Sequence, residues 1–371
     1  MKSQWPMVKL RDVLNYEQPT HYIVNTTQYD DTYPIPVLTA GQTFVLGYTN
    51  ETENIYHKNL PVLIFDDFTT AIKYVDFPFK VKSSAMKILS NDKSKTSIKY
   101  LFYAMGRISI DTELHKRYWI SLYSNISIPL PPLSVQLQIV QKLDKIQLLI
   151  EQRKYQIEKL DLLAKSRFIE MFGDPVTNPK GWESGTIRDI ASEVKYGTSS
   201  PATEGGKHIY LRMNNITYDG HLDLSNLKHI DLPDSQLAKY QAQKGDVLFN
   251  RTNSKELVGK TCVFKEDMPM VIAGYIIRIR VNERANPEYL SAILNSKHGK
   301  QTLLDMCKAI VGQANINAQE LQNIDILIPP ISLQNEFAAF IEQLDKSKFT
   351  IRKSLEKLET LYRALLQEYF G

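Results

Sequence analysis

Ile126-Ser-Ile-Pro-Leu-Pro-Pro-Leu-Ser-Val-Gln136 and Ile324-Asp-Ile-Leu-Ile-Pro-Pro-Ile-Ser-Leu-Gln334 are two copies of one stretch. A single offset (324 − 126 = 198) maps Ile126, Ile128, Pro131, Pro132, Ser134 and Gln136 onto Ile324, Ile326, Pro329, Pro330, Ser332 and Gln334. The same offset carries Glu158-Lys159-Leu160 onto Glu356-Lys357-Leu358 and Phe172-Gly173 onto Phe370-Gly371. One unit is used twice, which predicts a pseudo-symmetric object facing a symmetric or two-part target.

Each copy opens a long amphipathic stretch. The first reads as one helix from Ser134 to Met171, with Ser134 as its N-cap after Pro131-Pro132. Heptad spacing selects Leu143, Ile146, Ile150, Arg153, Ile157, Leu160, Ala164, Arg167 and Met171. In the second copy, opened by Pro329-Pro330 and Ser332, it selects Ile341, Leu344, Lys348, Ile351, Leu355, Leu358, Tyr362, Leu365 and Tyr369. Both have the pattern of a coiled-coil seam. Arg153 and Arg167 interrupt the first seam, where the second has Ile351 and Leu365. Lys348 interrupts the second, where the first has Ile150. Charges at core positions disfavour self-pairing and favour pairing of the two unlike copies. The helix is a rod of about 57 Å, the length of roughly 17 base pairs of B-DNA. The same pattern fits a generic helical hairpin or a dimerisation zipper. Well over a hundred residues of globular sequence before each helix favour a connector between two bodies.

The globular segments correspond more loosely. Trp5 and Leu10-Arg-Asp-Val13 match Trp182 and Ile187-Arg-Asp-Ile190 at an offset of 177, so the second segment is longer by 21 residues. Strands are expected at Val62–Phe65, Met86–Leu89, Asp246–Phe249 and Tyr275–Val281, from β-branched and aromatic content. Helical stretches are expected at Ile98–Met105 and Pro287–Cys307. At 371 residues and 43% hydrophobic content the chain has room for two or three folded domains. Two cysteines build no disulfide framework, which places the chain in a reducing compartment, the cytoplasm. No signal peptide or membrane span is visible. The net charge of +4 is spread as +2, +2, +1 and −1 over residues 1–126, 127–181, 182–324 and 325–371. A basic face for nucleic acid would therefore be local.

Several expected loops combine polar, basic and aromatic side chains. In the first half they supply Thr39, Gln42, Lys80, Lys82, Ser83, Ser84 and Arg117. In the second they supply Lys195, Tyr196, Ser199, Arg212, Asn214, Asn215, Arg251, Asn253, Gln313 and Asn315. Arg suits guanine edges, Asn and Gln suit adenine, and Ser, Thr and Lys suit phosphates. Taken singly, each stretch also reads as an ordinary solvated loop.

The combination resembles the specificity subunit of type I restriction-modification systems. The carrying residues are Ile128–Gln136 and Ile328–Gln334, Phe168-Ile-Glu-Met-Phe-Gly-Asp174, Tyr210-Leu-Arg-Met-Asn-Asn-Ile216 and Gly245-Asp-Val-Leu-Phe-Asn-Arg-Thr-Asn253. Pro36-Val-Leu-Thr-Ala-Gly41 and Phe65-Asp-Asp-Phe68 are similar to versions of the same domain. The resemblance covers essentially the whole chain. It implies an α+β fold with two mixed α/β target recognition domains joined by two long antiparallel helices in pseudo-two-fold arrangement. The first domain would span 1–126 and its spacer helix 127–173. The second would span 174–323 and its helix 324–371. It also implies that each domain reads half of a split site on double-stranded DNA. The helices would set the gap and dock two methyltransferase subunits, which restriction subunits join. An alternative is a helical adaptor that binds protein partners without reading DNA. The first domain departs from the second at Phe65-Asp-Asp-Phe-Thr69, acidic where the second has Arg251-Thr-Asn253.

The chain is expected to be non-catalytic. Asn178-Pro-Lys180 and Asn286-Pro-Glu288 do not match a methyltransferase Asn/Asp-Pro-Pro-aromatic motif, and Gly205-Gly206 makes no phosphate loop. No ATP-binding Gly-x-x-x-x-Gly-Lys motif is present. The seven histidines show no metal-ligand spacing. By the resemblance, S-adenosylmethionine, ATP and magnesium are expected on partner subunits alone. Asp174 with Glu193-Val-Lys195 loosely mimics a magnesium-nuclease pattern, but Lys195 and Tyr196 could equally meet backbone phosphates.

Overall fold

The computed structural model describes residues 5–39, 43–108, 110, 118–254, 256–310 and 313–371. The chain forms two compact units of mixed α and β structure. Met1–Lys154 with Lys353–Gly371 make unit 1, and Tyr155–Arg352 make unit 2. The two long helices run Leu133–Phe172 and Ile331–Phe370. Each gives one end to each unit, whereas the sequence reading set the helices apart as segments of their own.

Both helices start two residues earlier than Ser134 and Ser332 as N-caps would require. Pro132 and Pro330 carry the first accepting carbonyls: Val135 and Gln136 donate to Pro132 O at 2.9 and 3.0 Å, and Leu333 and Gln334 to Pro330 O at 3.0 and 3.2 Å. The two serines therefore lie inside the first turn.

The glutamine ending each repeat explains the motif. Gln136 is fully buried. Its Nε2 donates to Pro131 O (2.8 Å) and Lys95 O (3.2 Å), and its Oε1 accepts from Ser97 N (2.9 Å). Gln334 is equally buried. It donates to Pro329 O (2.7 Å) and Arg284 O (3.0 Å) and accepts from Asn286 N (2.8 Å). Ser97 and Asn286 are the N-caps of helices Ile98–Met105 and Pro287–Asn295. One side chain thus ties the start of a long helix to the start of the helix packed beside it.

The rest of the frame repeats in the same register. In unit 1 strand Met7–Lys9 pairs antiparallel with Ser127–Pro129, Met7 opposite Pro129. In unit 2 Glu183–Thr186 pairs with Asp325–Ile328, Ser184 opposite Leu327. These positions differ by the offsets read from the sequence, 177 and 198. Leu10 N donates to Ile126 O as Ile187 N donates to Ile324 O, at 3.0 and 3.1 Å. Arg11 reaches Asn125 and Arg188 reaches Asn323. Tyr100 OH donates to Pro129 O and Tyr289 OH to Leu327 O. The ring of Tyr100 lies 5.2 Å from Phe370 and that of Tyr289 lies 4.8 Å from Phe172, the aromatics that close the two helices.

Each frame encloses a four-stranded antiparallel sheet. Its order in unit 1 is Leu14–Glu17, Met86–Asn91, Val62–Asp66, Ile72–Val75. In unit 2 it is Ala191–Tyr196, Ile276–Val281, Val247–Asn250, Thr261–Val263. A smaller sheet in each contains one parallel pair, Val37 opposite Lys80 and Tyr210 opposite Val271. The helical stretch expected at Pro287–Cys307 is two helices, Pro287–Asn295 and Lys297–Met306. Ser296 divides them, donating to Ile293 O and accepting from Gly299 N. In unit 1 Leu10, Leu63, Phe65, Leu89, Trp119 and Leu143 share a core on which Leu365 and Phe370 pack.

The long helices run antiparallel within each unit. In unit 1 Lys154 pairs with Glu359 (3.3 Å), while the earlier Leu143 shares its core with the later Leu365. In unit 2 Asp161 pairs with Lys348, while the later Arg167 lies over the ring of the earlier Phe340 (5.8 Å). Among the seam positions Leu143, Ile146, Ile150 and Leu344 are buried. Ile157, Leu160, Ile341, Ile351, Leu355 and Leu358 are half-buried. Lys348, the seam's interrupting charge, is 5% exposed and satisfied by Asp161. A buried cation persists only with such a partner.

Replacing either glutamine by leucine strands two buried carbonyls and an N–H. Gln136→Leu and Gln334→Leu should each destabilise their unit by roughly 2–4 kcal/mol, read as a lower denaturation midpoint of the full chain. A loss below about 0.5 kcal/mol, the scale of a neutral surface change, would show that the side chain is no staple.

Candidate nucleic-acid interface

In unit 2 chain segments remote in sequence meet at one edge. Strand Ala191–Tyr196 ends there, and Gly197 follows in close contact with the backbone. A Cβ on Gly197 would lie 2.2 Å from Ile272 O, so no side chain fits. Arg251 leaves strand Val247–Asn250 and is pinned through its backbone on both sides. Its N–H donates to Tyr275 O (3.0 Å) and its carbonyl accepts from Ile316 N (2.9 Å). Thr252–Asn253 then pairs with Gln313–Asn315, Thr252 opposite Asn315, and Thr252 Oγ1 donates to Asn315 Oδ1 (2.9 Å). The Arg251 guanidinium lies 5.0 Å above the ring of Tyr196. Tyr196 is itself held, its hydroxyl accepting from Ala318 N at 2.7 Å. Gly274 N donates to Thr198 O, which brings exposed Ser199 and the 54% exposed ring of Tyr275 to the same place.

Of the candidate residues, the structure therefore gathers Tyr196, Ser199, Arg251, Asn253 and Asn315, while Gln313 is described only by its backbone in the strand Gln313–Asn315. Thr252, from the quoted Arg251-Thr-Asn253 stretch, lies beside them, and so does Tyr275, which was not among the candidates. Tyr275 stands at the start of an expected strand, where nothing in the pattern marks a turn tip.

Behind the edge lies a set of charged side chains. Arg278 is 1% exposed and bonds Glu193 and Gln241 O. Arg280 bonds Asp246 (2.8 Å) and approaches Glu193 (3.2 Å). Lys195 also bonds Glu193. Burial raises the Glu193 pKa, but hydrogen bonds from Lys195 and Arg278 outweigh it and hold the carboxyl below its ordinary range. Glu193 thus serves internal cations. Asp174 caps its own loop, accepting from Val176 N (2.7 Å) and Thr177 N (3.2 Å). Among the described residues no group of three His, Cys, Asp or Glu side chains could hold a metal. His221 lies 4.0 Å from Asp161 and 3.8 Å from Asp219, and burial lowers its pKa. Burial also pushes the Cys262 thiol up to about 12.

Arg212, Asn214 and Asn215 form a second loop. Asn214 is exposed. Asn215 is 2% exposed, accepts from Arg212 N and donates to Asp223 O, so it shapes the loop and presents no free edge. The Arg212 guanidinium donates to Asn226 O. Lys260 donates to Met213 O (2.7 Å) while its own carbonyl accepts from Asn250 N, tying this loop to the base of the Arg251 loop.

In unit 1 the edge is built differently. Tyr118 N donates to Asp67 O (3.0 Å) as Ile316 N does to Arg251 O, so Asp67 stands where unit 2 has Arg251. Asp67 is 3% exposed, pairs with Lys87 (3.3 Å) and accepts from Trp119 N (2.9 Å). Exposed Tyr16 and Phe68 lie nearby, Tyr16 under the Lys87 ammonium at 5.6 Å. Lys80 is fully buried on Glu51 (3.0 Å) and Glu53 O (2.7 Å), which removes it from any surface. Thr39 Oγ1 donates to Thr43 O (2.7 Å) and closes its own loop. Lys82, Ser83 and Ser84 are exposed, with Lys82 5.8 Å from the Tyr29 ring. Gln42 and Arg117 lie outside the described residues. No helix among the described residues is long and apolar enough to cross a membrane.

Residues 2–159 and 179–360 match a family model described as type I restriction modification DNA specificity domain. The specificity subunit of the Escherichia coli type I restriction enzyme EcoR124I/EcoR124II is 32% identical over 100% of this chain and 93% of its own length. That of EcoKI from Escherichia coli K12 is 27% identical over 66% of this chain and 57% of its own. The crystal structure of a type I restriction-modification S subunit from M. genitalium aligns over 100% of this chain and 97% of its own. It does so with a TM-score of 0.67 at 13% identity.

Glu193 provides a test of the charged layer. Its pKa is depressed in the folded chain, so its contribution is present above the unfolded carboxylate value of about 4.3. It is lost as pH falls through the folded value. Glu193→Gln should therefore be less stable than wild type at neutral pH, with the difference shrinking in acid, measured by denaturant titration across pH. A pH-independent difference would contradict the assignment.

Proposed function

The chain belongs to the family of type I restriction-modification DNA specificity subunits, and we propose that it reads a bipartite DNA site for a methyltransferase complex. The globular part of each unit reads one half-site in double-stranded DNA. The long helices fix the gap between half-sites and dock two methyltransferase subunits, which restriction subunits join in the cytoplasm. Chemistry stays with those partners, which carry S-adenosylmethionine, ATP and magnesium. The chain is a non-catalytic component whose contribution is placement.

One observation carries this reading. Two frames of identical register, Met7 opposite Pro129 and Ser184 opposite Leu327, hold unlike edges, with Asp67 buried on Lys87 in one and Arg251 over the Tyr196 ring in the other. A repeated frame suits a repeated ligand such as a duplex backbone. Unlike edges suit two different base sequences.

Inserting one turn of helix into both long helices, within 136–171 and 334–369, should lengthen the gap in the methylated site and leave both half-sites unchanged. Exchanging residues 1–126 for those of a relative should change one half-site alone. Genome-wide mapping of methylated bases reads both outcomes. A single exchange that alters both half-sites would contradict modular reading.

A further inference from the structure

Six arginines lie between residues 174 and 323. Five direct the guanidinium to an internal acceptor: Arg188 to Asn323, Arg212 to Asn226, Arg278 to Glu193, Arg280 to Asp246 and Arg284 to Glu183. Arg251 does not. Among the described residues its guanidinium has no hydrogen-bond acceptor; its Nε, like those of Arg212 and Arg278, is buried without a partner. Its place is nevertheless fixed. The backbone is held on both sides by Tyr275 and Ile316, and one face of the guanidinium lies on Tyr196, which Ala318 holds in turn. A cation stacked on a ring keeps its in-plane N–H donors free while losing rotational freedom. Donors prepared in this way, with no acceptor of their own, await an external planar acceptor.

Resting on the DNA-reading function proposed above, we propose that Arg251 determines specificity in unit 2 by donating its fork to O6 and N7 of one guanine in the major groove. Guanine presents two adjacent acceptors on that edge, the pattern a guanidinium fork matches. Tyr196 is the positioning residue that aims the fork. Asp67, buried on Lys87 at the corresponding place in unit 1, supplies no such donor. The requirement that Arg251 sets therefore belongs to the half-site that unit 2 reads.

The test measures binding of the full chain with its methyltransferase partner to duplexes carrying the mapped site, each guanine replaced in turn by 7-deazaguanine. That base lacks only the N7 acceptor. Wild type should lose about ten-fold in affinity at one guanine of one half-site. Arg251→Ala should bind the normal and 7-deaza duplexes equally at that position. Arg251→Lys should keep the salt dependence of wild type and discriminate less, because a single ammonium replaces the planar fork. Unchanged discrimination at the other half-site shows that the variants remain folded. The proposal is overturned if no 7-deaza position affects wild type. It is also overturned if Arg251→Ala weakens binding to all duplexes alike with a shallower salt slope, the mark of a phosphate contact. If wild type shows no preference for its mapped site over random DNA, the function proposed above falls and this assignment with it.

Discussion

Both units depend on a glutamine with no exposed surface. Gln136 and Gln334 each join three backbone groups that would otherwise be stranded at the junction of two helix starts and a proline turn. The carbonyl of the first proline in each pair, Pro131 or Pro329, takes its donor from the glutamine amide, while that of the second begins the helix. The amide supplies donors to one side and an acceptor to the other, so a single residue fixes where the long helix leaves the globular body. Leucine of similar volume could fill the space but could not satisfy the backbone.

With the junction fixed, the interior of each unit can vary. The two sheets keep the same order and orientation, yet the residue after the second inner strand is Asp67 in one and Arg251 in the other. Asp67 is spent on Lys87 and Trp119 inside unit 1. Arg251 is held at the surface of unit 2 on an aromatic face. The charged layer of Glu193, Asp246, Arg278 and Arg280 lets unit 2 bury cations beneath its edge at little net charge. It explains why a chain without a bulk basic field can still present a defined cationic group.

Much of the architecture was legible in the sequence because repetition is visible without coordinates. The offsets of 198 and 177 read from Pro131-Pro132 and from Trp5 are the offsets that relate the two strand registers. The heptad pattern located both helices, and the charge at Lys348 found its partner on the other copy, Asp161. Ser134 and Ser332 misled because a serine after two prolines looks like a cap, while the proline carbonyl already begins the helix. The edge was legible residue by residue but not as a site. Tyr196, Arg251 and Asn315 meet only through sheet pairings that spacing does not reveal. Lys80 and Asn215 looked available because their neighbours are polar. Their burial is set by Glu51 and Asp223, residues that the local pattern does not connect to them.

The central claim is that one frame, used twice, carries two unlike edges. Mapping methylated bases across a genome that carries this chain with its partner subunits tests it most directly. The account predicts two different half-sites divided by a gap of constant length. A single continuous recognition sequence, or two identical half-sites in inverted repeat, would contradict it.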